Sequence, residues 1–339
     1  MWFKQLSFYR LNGDSVPEVA QLVDALEKTP FTHCGGLDWF SEGWVNPAGH
    51  LDAPAFVAQG CQLVSLKRED KVLPSSVIRE WVETKTVEIE EREFRKVGRK
   101  EKLALKEQVT DDLLPRAFVR PSRLSAYIDA DRGWLMVDSA TASKAEALVS
   151  KLREALPPFP AALPRTLLAP HTAMTDWLAA GEAPAGFELD AECELKDGSS
   201  ENGAVIRCVR MDLTADEIRQ HIATGKQATR LGLIWKERIR FVLTDTLQLK
   251  RIQFLDVLQD EASQAGDDSA SLFEATFTLM AGELGELVDA LVDALGGLEP
   301  SQQQGTAGAF VPPPTSASAA PAAPASTAPA DDDSLPWRV

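Results

Sequence analysis

The stretch from Pro74 to Arg123 restricts the fold most, because its middle offers little to bury. Ser75 and Ser76 after Pro74 open a helix, and Pro115 stops the helical pattern beyond Leu114. The first turns supply Val77, Ile78, Trp81 and Val82 for burial, after which charged residues dominate. A helix without an apolar face cannot sit in a core, so this segment is expected to project as an arm, able to meet a second copy tip to tip. Between Arg92 and Lys106 it holds seven cations (Arg92, Arg95, Lys96, Arg99, Lys100, Lys102 and Lys106) against Glu93 and Glu101. At about 100° per residue, all of these cations except Lys100 fall within about a third of a helix circumference. That requires the helix to continue through Gly98, at about 1 kcal/mol relative to Ala. A one-sided cationic face suits a phosphate backbone; the alternative is a solvated helix laced with Glu–Lys pairs.

This basic cluster stands in a chain of 339 residues whose formal net charge is -16. Residues 256–339 carry fourteen acids and one base, Arg338, so that end holds -13 and residues 1–255 only -3. With sign segregated in this way, the local face matters more than the total. At 44% hydrophobic and 25% charged, the composition is that of an ordinary globular protein, long enough for two or three domains. No basic-then-apolar leader and no apolar run near 18 residues stands out, so neither secretion nor a membrane is expected. Cys34, Cys61, Cys193 and Cys208 show no CxxC spacing, as in a reduced cytoplasmic protein.

Along the chain, Trp2–Leu11 reads as a strand and Val19, Leu22, Val23 and Leu26 as a helix face after Pro17. Gln62–Lys67 is a further strand, and Arg123–Ile128 and Trp134–Val137 flank a turn at Asp129–Gly133. Ser143 with Glu146, and Thr214 with Glu217, have the spacing of capping boxes. The Pro157–Pro160 break marks a domain junction. A helix over His171–Ala180 follows, then a hairpin around Gly198–Gly203 and a three-stranded antiparallel set over residues 227–252. Phe273, Phe277, Met280, Leu284, Leu287, Leu291 and Leu295 repeat at helical spacing before Gly296 and Gly297, as a core stripe or a dimer face. The fold class is therefore α+β, with mixed antiparallel sheets, helices and a projecting helical arm. The expected organisation is a central domain over 1–73 and 116–160, the arm over 74–115, and a second domain over 161–299. The Pro/Ala/Ser-rich acidic tail, 300–339, is expected to be disordered.

Catalytic chemistry is hard to find. His33, His50, His171 and His221 are scattered, without HExxH or pairing with cysteine. Ala223-Thr224-Gly225-Lys226 ends like a phosphate-binding loop, but Gln227 replaces the hydroxyl residue and Gln220 the first glycine. Asp111-Asp112 has no identifiable partner acids for a metal-dependent nuclease. No cofactor or metal is expected. Arg116, Phe118 and Arg120 follow Pro115, and if that segment is extended all three share one face. Two cations around an aromatic suit a duplex, with guanidiniums on phosphate and a ring free to wedge or stack; the alternative is a core Phe118.

The blocks MWFKQLSFYR, CGGLDWFSEGWV, VLPSSVIREW, RKEKLALKEQVTDDLLPRAFVR, DLTADEIRQHIATGK and LMAGELGELVDALVDALGG, in this order, resemble the RdgC family of bacterial recombination-associated proteins. The resemblance covers about the first 297 residues. It implies a ring-shaped homodimer, cytoplasmic and nucleoid-associated, that binds double-stranded DNA, or single-stranded DNA, without sequence preference and restrains RecA by competition or contact. The Pro-Arg-Ala-Phe-x-Arg signature is matched here, and the resemblance places an aromatic, Phe118 between Arg116 and Arg120, near the ring's opening; the arm cations Arg92, Arg95, Lys96, Arg99 and Lys100 are the other DNA-binding candidates. A further DNA contact is implied at Arg210, although Val209 and Met211 differ from the family pattern and Met211 lacks a hydrogen-bonding amide. The rival functions are a protein-interaction module that docks its basic arm on an acidic partner, and a metal-dependent nuclease. The last nine residues, DDDSLPWRV, resemble the acidic tip of bacterial single-stranded DNA-binding proteins, with Arg338 and Val339 added.

Overall fold

In a computed structural model that describes residues 1–11, 15–198, 203–264 and 268–303, residues 1–305 make one compact unit. The first sheet comprises β1 (Ser7–Arg10), β2 (Phe40–Val45), β3 (Ala55–Ala58), β4 (Cys61–Val72), β5 (Phe118–Asp129) and β6 (Trp134–Val137). Its antiparallel order is β1-β6-β5-β4-β2, with β3 alongside the start of β4. Helices α1 (Val19–Leu26), α2 (Ser75–Glu93), α3 (Arg99–Leu113) and α4 (Ala142–Ala155) belong to this half of the chain.

The two-residue strand period sends alternate side chains into two different cores. Tyr9, Val64, Ala126, Ile128, Leu135 and Val137 face α1 and α4, with Leu22, Leu148 and Leu152 beneath them. Phe8, Leu63, Tyr127, Trp134 and Met136 face the opposite way, into a larger core shared with the second half of the chain. A sheet covered on both faces explains why β6 is apolar at all four positions.

The second sheet runs β11-β10-β9-β7-β8, all antiparallel, from β7 (Phe187–Asp197), β8 (Val205–Val209), β9 (Lys226–Trp235), β10 (Ile239–Thr244) and β11 (Leu249–Phe254). The hairpin and three-stranded set expected from alternation are present. Around the sheet lie α5 (Pro170–Ala180), α6 (Asp216–Ala223), α7 (Asp256–Gln264), α8 (Ser269–Ala294) and α9 (Pro300–Gln303). Helix α8 begins at Asp268, whose carboxylate accepts the amides of Ala270 and Ser271 at 2.8 Å. Phe277, Met280, Leu284, Leu287 and Leu291 on its stripe are fully buried, each worth about 1.5–3 kcal/mol. Gly296 at φ 84° and Gly297 at φ 89° turn the chain out after it.

Several contacts join the two halves of the chain, among them a hydrogen bond from the Ile252 amide to the Lys4 carbonyl at 2.9 Å. Leu6 and Leu249 exchange backbone hydrogen bonds of 2.8 and 2.9 Å. Asp289 of α8 accepts from the Trp134 indole at 2.9 Å and from Arg132 Nε at 3.1 Å.

Neither expected capping box forms. Thr141 precedes α4 without a side-chain cap, and Ser143 lies inside the first turn. Thr214 bonds Asp212 instead, and Ala215 precedes α6. Ser143 is already inside α4 and Thr214 stands one residue ahead of the cap of α6, so neither hydroxyl occupies the cap position from which it would reach the free amides. Pro300–Gln303 turns a short helix, and Gln302 bonds the Leu163 carbonyl and the Arg165 amide at 2.9 and 2.7 Å. Residues 304–339, with the expected disordered tail and its acidic tip, lie outside the described residues.

Candidate nucleic-acid interface

β4 and β5 are long neighbouring strands joined by the whole arm, so α2 and α3 form an elaborated hairpin connection. The helices pack on each other through Ile78, Thr86, Leu105 and Val109, and Lys85 meets Asp112 at 2.9 Å across the pair. Few of the arm's apolar side chains enter this seam; Trp81, Val87, Phe94 and Leu103 stay exposed, so the expected burial of Trp81 does not occur.

The helix does not continue through Gly98. Glu93 ends α2, Phe94 turns left-handed at φ 50°, ψ 36°, and Gly98 stands in extended conformation at the start of α3. The single cationic stripe is therefore corrected to a cationic tip: Arg92 closes one helix, Arg95 and Lys96 lie in the turn, and Arg99 and Lys100 open the next. The physical reason is that residues 94–98 reverse the chain direction, which destroys the 100° phase relation across them.

Ion pairs sort these cations into two sets. Arg95 holds Glu101 through two bonds of 2.7 Å and Glu93 through one of 2.8 Å. Arg92 reaches Glu93 at 3.0 Å and Lys96 reaches Glu90 at 2.8 Å. Lys96 and the Val97 amide hold the Glu90 carboxyl below its usual range, Arg92 and Arg95 do the same for Glu93, and Arg95 for Glu101. Arg99 and Lys100 make no ion pair among the described residues. Lys102 and Lys106, further along α3, are likewise exposed and make no ion pair among the described residues.

At the base of the arm, Leu114–Arg116 is a 3-10 turn and β5 starts at Phe118. Arg116 thus lies outside the strand, which corrects the expectation that it shares a face with Phe118 and Arg120. Those two do share one, two residues apart in β5, opposite Val72 and Asp70 of β4. Phe118 is 87% exposed, so it is not a core residue. The half of the ribbon bearing it runs past β6, which pairs only Ala126–Asp129 of β5. Pro121 sits in this overhang. The Ser125 carbonyl accepts the Asp138 amide, so odd-numbered β5 residues turn their backbone groups away from β4. The missing N–H of Pro121 consequently faces the unpaired edge, where it disrupts no ladder bond and discourages strand addition.

The same face of the ribbon walls a cleft of about 840 Å³ against the start of α4, lined by Lys4, Arg68, Arg120, Arg123 and Lys144 among others. Arg68 is held by Glu42 at 3.2 Å and Asp70 at 2.9 Å and stacks on Phe40 at 3.9 Å. Arg123 bonds the Asn46 carbonyl at 2.8 Å. Arg120 and Lys144 are exposed and make no ion pair among the described residues. Lys4 and Lys144 were invisible as a group in the sequence because β1 and α4 reach the ribbon only through the sheet.

Arg210 follows β8 in the second sheet at φ 56°, exposed and beside Met211, whose amide bonds the Ala191 carbonyl. Among the described residues no contact brings it to the arm. Among the described residues no three His, Cys, Asp or Glu side chains converge as a metal-holding group. No described helix is long and apolar enough to cross a membrane.

The described residues form an α+β body that carries a cation-tipped helical hairpin and an exposed aromatic at its root. Comparison with known proteins supplies the assignment. The family model described as "RdgC: Putative exonuclease, RdgC" matches residues 1–298, and the chain belongs to the RdgC family. It is 59% identical over 298 residues to the recombination-associated protein RdgC of Laribacter hongkongensis (strain HLHK9), covering 88% of this chain and 99% of that one. The protein of the same name from Neisseria gonorrhoeae (strain NCCP11945) is 51% identical over 297 residues, with 88% and 99% covered. That from Dechloromonas aromatica (strain RCB) is 39% identical over 300 residues, with 88% and 98% covered.

Proposed function

We propose that this protein binds duplex DNA without reading its sequence, as a homodimer that encloses the duplex in a ring, and so restrains RecA-driven strand exchange in the nucleoid. The observation carrying this reading is two sets of exposed cations that make no ion pair among the described residues, Arg99 and Lys100 at the arm tip and Arg116 and Arg120 flanking an exposed Phe118 at its base, on a chain whose net charge is -16. Lys and Arg side chains displace condensed counterions from phosphates, and that term is independent of sequence. Membership of a family whose relatives are named recombination-associated supports the biological setting.

The test is fluorescence anisotropy with two unrelated duplexes across a salt series. Equal affinities that fall steeply with salt support the reading; binding only to an acidic protein partner, with none to DNA, favours the interaction module. Comparing linear with closed-circular DNA addresses enclosure. The description of the family as an exonuclease keeps one second reading, metal-dependent cleavage, which loss of an end-labelled duplex on adding magnesium would reveal.

A further inference from the structure

Cys34, Cys61, Cys193 and Cys208 are free thiols, and the last two face each other. Cys193 of β7 and Cys208 of β8 are directly opposed in the antiparallel register, with Leu195 opposite Ile206 two residues along. Both cysteines are buried in the larger core, at 5% and 9% exposure. The other two are placed differently. Cys61 opposes Ala58 and Asp129, and the Cys34 thiol bonds the Asp38 carbonyl at 3.2 Å.

Directly opposed residues hold their Cβ atoms about 4.5–5.5 Å apart and a disulfide needs about 3.5–4.5 Å, so closing the bond asks the strands to approach by about 1 Å. The strands can give at this point. On its other side, β7 shifts register against β9 between Leu189 and Cys193 and again between Glu194 and Leu195. Two residues beyond Cys208, Arg210 turns to φ 56°, just past the end of β8. β8 is also the outer strand of its sheet, paired with β7. Burial, and then the facing Cys208 thiol, push the Cys193 thiol up to about 12, so Cys193 rests protonated and an oxidant gains access only as β8 moves.

We propose that Cys193 and Cys208 are a redox-sensing dithiol, closed to a cross-strand disulfide by peroxide and reopened by a dithiol reductant. Peroxide oxidises the outer sulfur, Cys208 Sγ, to a sulfenic acid; the O–O bond breaks and one water leaves. Cys193 Sγ then attacks Cys208 Sγ, the S–O bond breaks, and the hydroxyl leaves as a second water with the Cys193 proton. Two thiols thus give two electrons and two protons to one peroxide, which becomes two waters. The bond ties β8 to β7 and restrains the strand that leads into Arg210. A bond that draws the strands together is readily reduced, as a reversible sensor requires. The inference is independent of the DNA-binding reading.

The experiment treats the full chain carrying Cys34→Ser, which removes the half-buried thiol, with hydrogen peroxide. Remaining thiols are then alkylated in denaturant and mapped by peptide mass spectrometry. The expected product links the peptides of Cys193 and Cys208, weighs about two daltons less than the reduced pair, and opens again with dithiothreitol. Cys61 is expected to be alkylated. Amide exchange over Val205–Val209 is expected to slow by about tenfold or more in the oxidised protein. Cys193→Ala and Cys208→Ala are each expected to abolish both the link and the slowing; two separate variants keep a folding defect in one from deciding the result. In Cys193→Ala, Cys208 is expected to stop at the sulfenic acid, trapped by dimedone. Alkylation of Cys193 and Cys208 after peroxide overturns the inference, as does a link to Cys61 or between copies. A linked pair with unchanged exchange in β8 overturns the restraint on that strand.

Discussion

Arg95 and Glu101 face each other across the turn of the arm through two parallel hydrogen bonds of 2.7 Å. A fork-to-fork pair of this kind fixes geometry as well as charge, and it leaves Arg95 poorly placed to seek a phosphate. The arm's cations therefore divide into structural ones, Arg92, Arg95 and Lys96, and available ones, Arg99 and Lys100 at the start of α3 with Lys102 and Lys106 further along it.

This division predicts unequal effects from equal charge removal. Arg99→Ala with Lys100→Ala is expected to reduce the slope of log affinity against log salt by about two, near one per lost phosphate contact. Arg95→Ala with Lys96→Ala is expected to change the slope less, because Glu90, Glu93 and Glu101 already neutralise those side chains. Equal slopes in the two variants would show that the ion pairs open on binding.

Acid should loosen the turn. Glu90, Glu93 and Glu101 have folded pKa values depressed from 4.5, so their pairing stabilises the turn above the unfolded pKa and is lost as pH falls through the folded one. Exchange of the Val97 amide, which Glu90 accepts, is expected to stay protected at pH 4.5 and to accelerate only at lower pH. Acceleration beginning well above 4.5 contradicts the depressed values.

Phe118→Ser is expected to leave thermal stability within about 0.5 kcal/mol of wild type, because the ring is 87% exposed. DNA affinity or self-association is expected to fall. A loss of several kcal/mol by chemical denaturation would mean that the ring is buried in the native protein.

Asp289→Ala tests the joint between the sheets. It strands the indole N–H of Trp134, itself 2% exposed, and removes an anion from Arg132, with an expected loss of about 1–3 kcal/mol in denaturant. Asp289→Asn keeps an acceptor for the indole and should recover part of that loss. No change in either variant indicates that water replaces the carboxylate.

Periodicity alone determined the α8 stripe, the turn at Asp129–Gly133 with its flanking strands, and the hairpin and three-stranded set of the second sheet, since each rests on side chains close together in sequence; the first sheet, which pairs β1 with β6 and β4 with β5 across long intervals, was not legible in this way. The resemblance of long ordered blocks determined the family, and the lack of an apolar face made the arm legible as a projection. Other features depended on side chains distant in sequence or on backbone reversal, and those only the tertiary structure decided. The cationic stripe dissolved because Phe94 breaks the helical phase, and the pairing of Arg95 with Glu101 follows from that turn. Phe118 and a core phenylalanine look alike in sequence; what separates them is that β5 outruns β6 and leaves the ring in water. The cleft joining Lys4, Arg120 and Lys144 exists only because β1, β5 and α4 meet across one sheet, a proximity that no local pattern encodes.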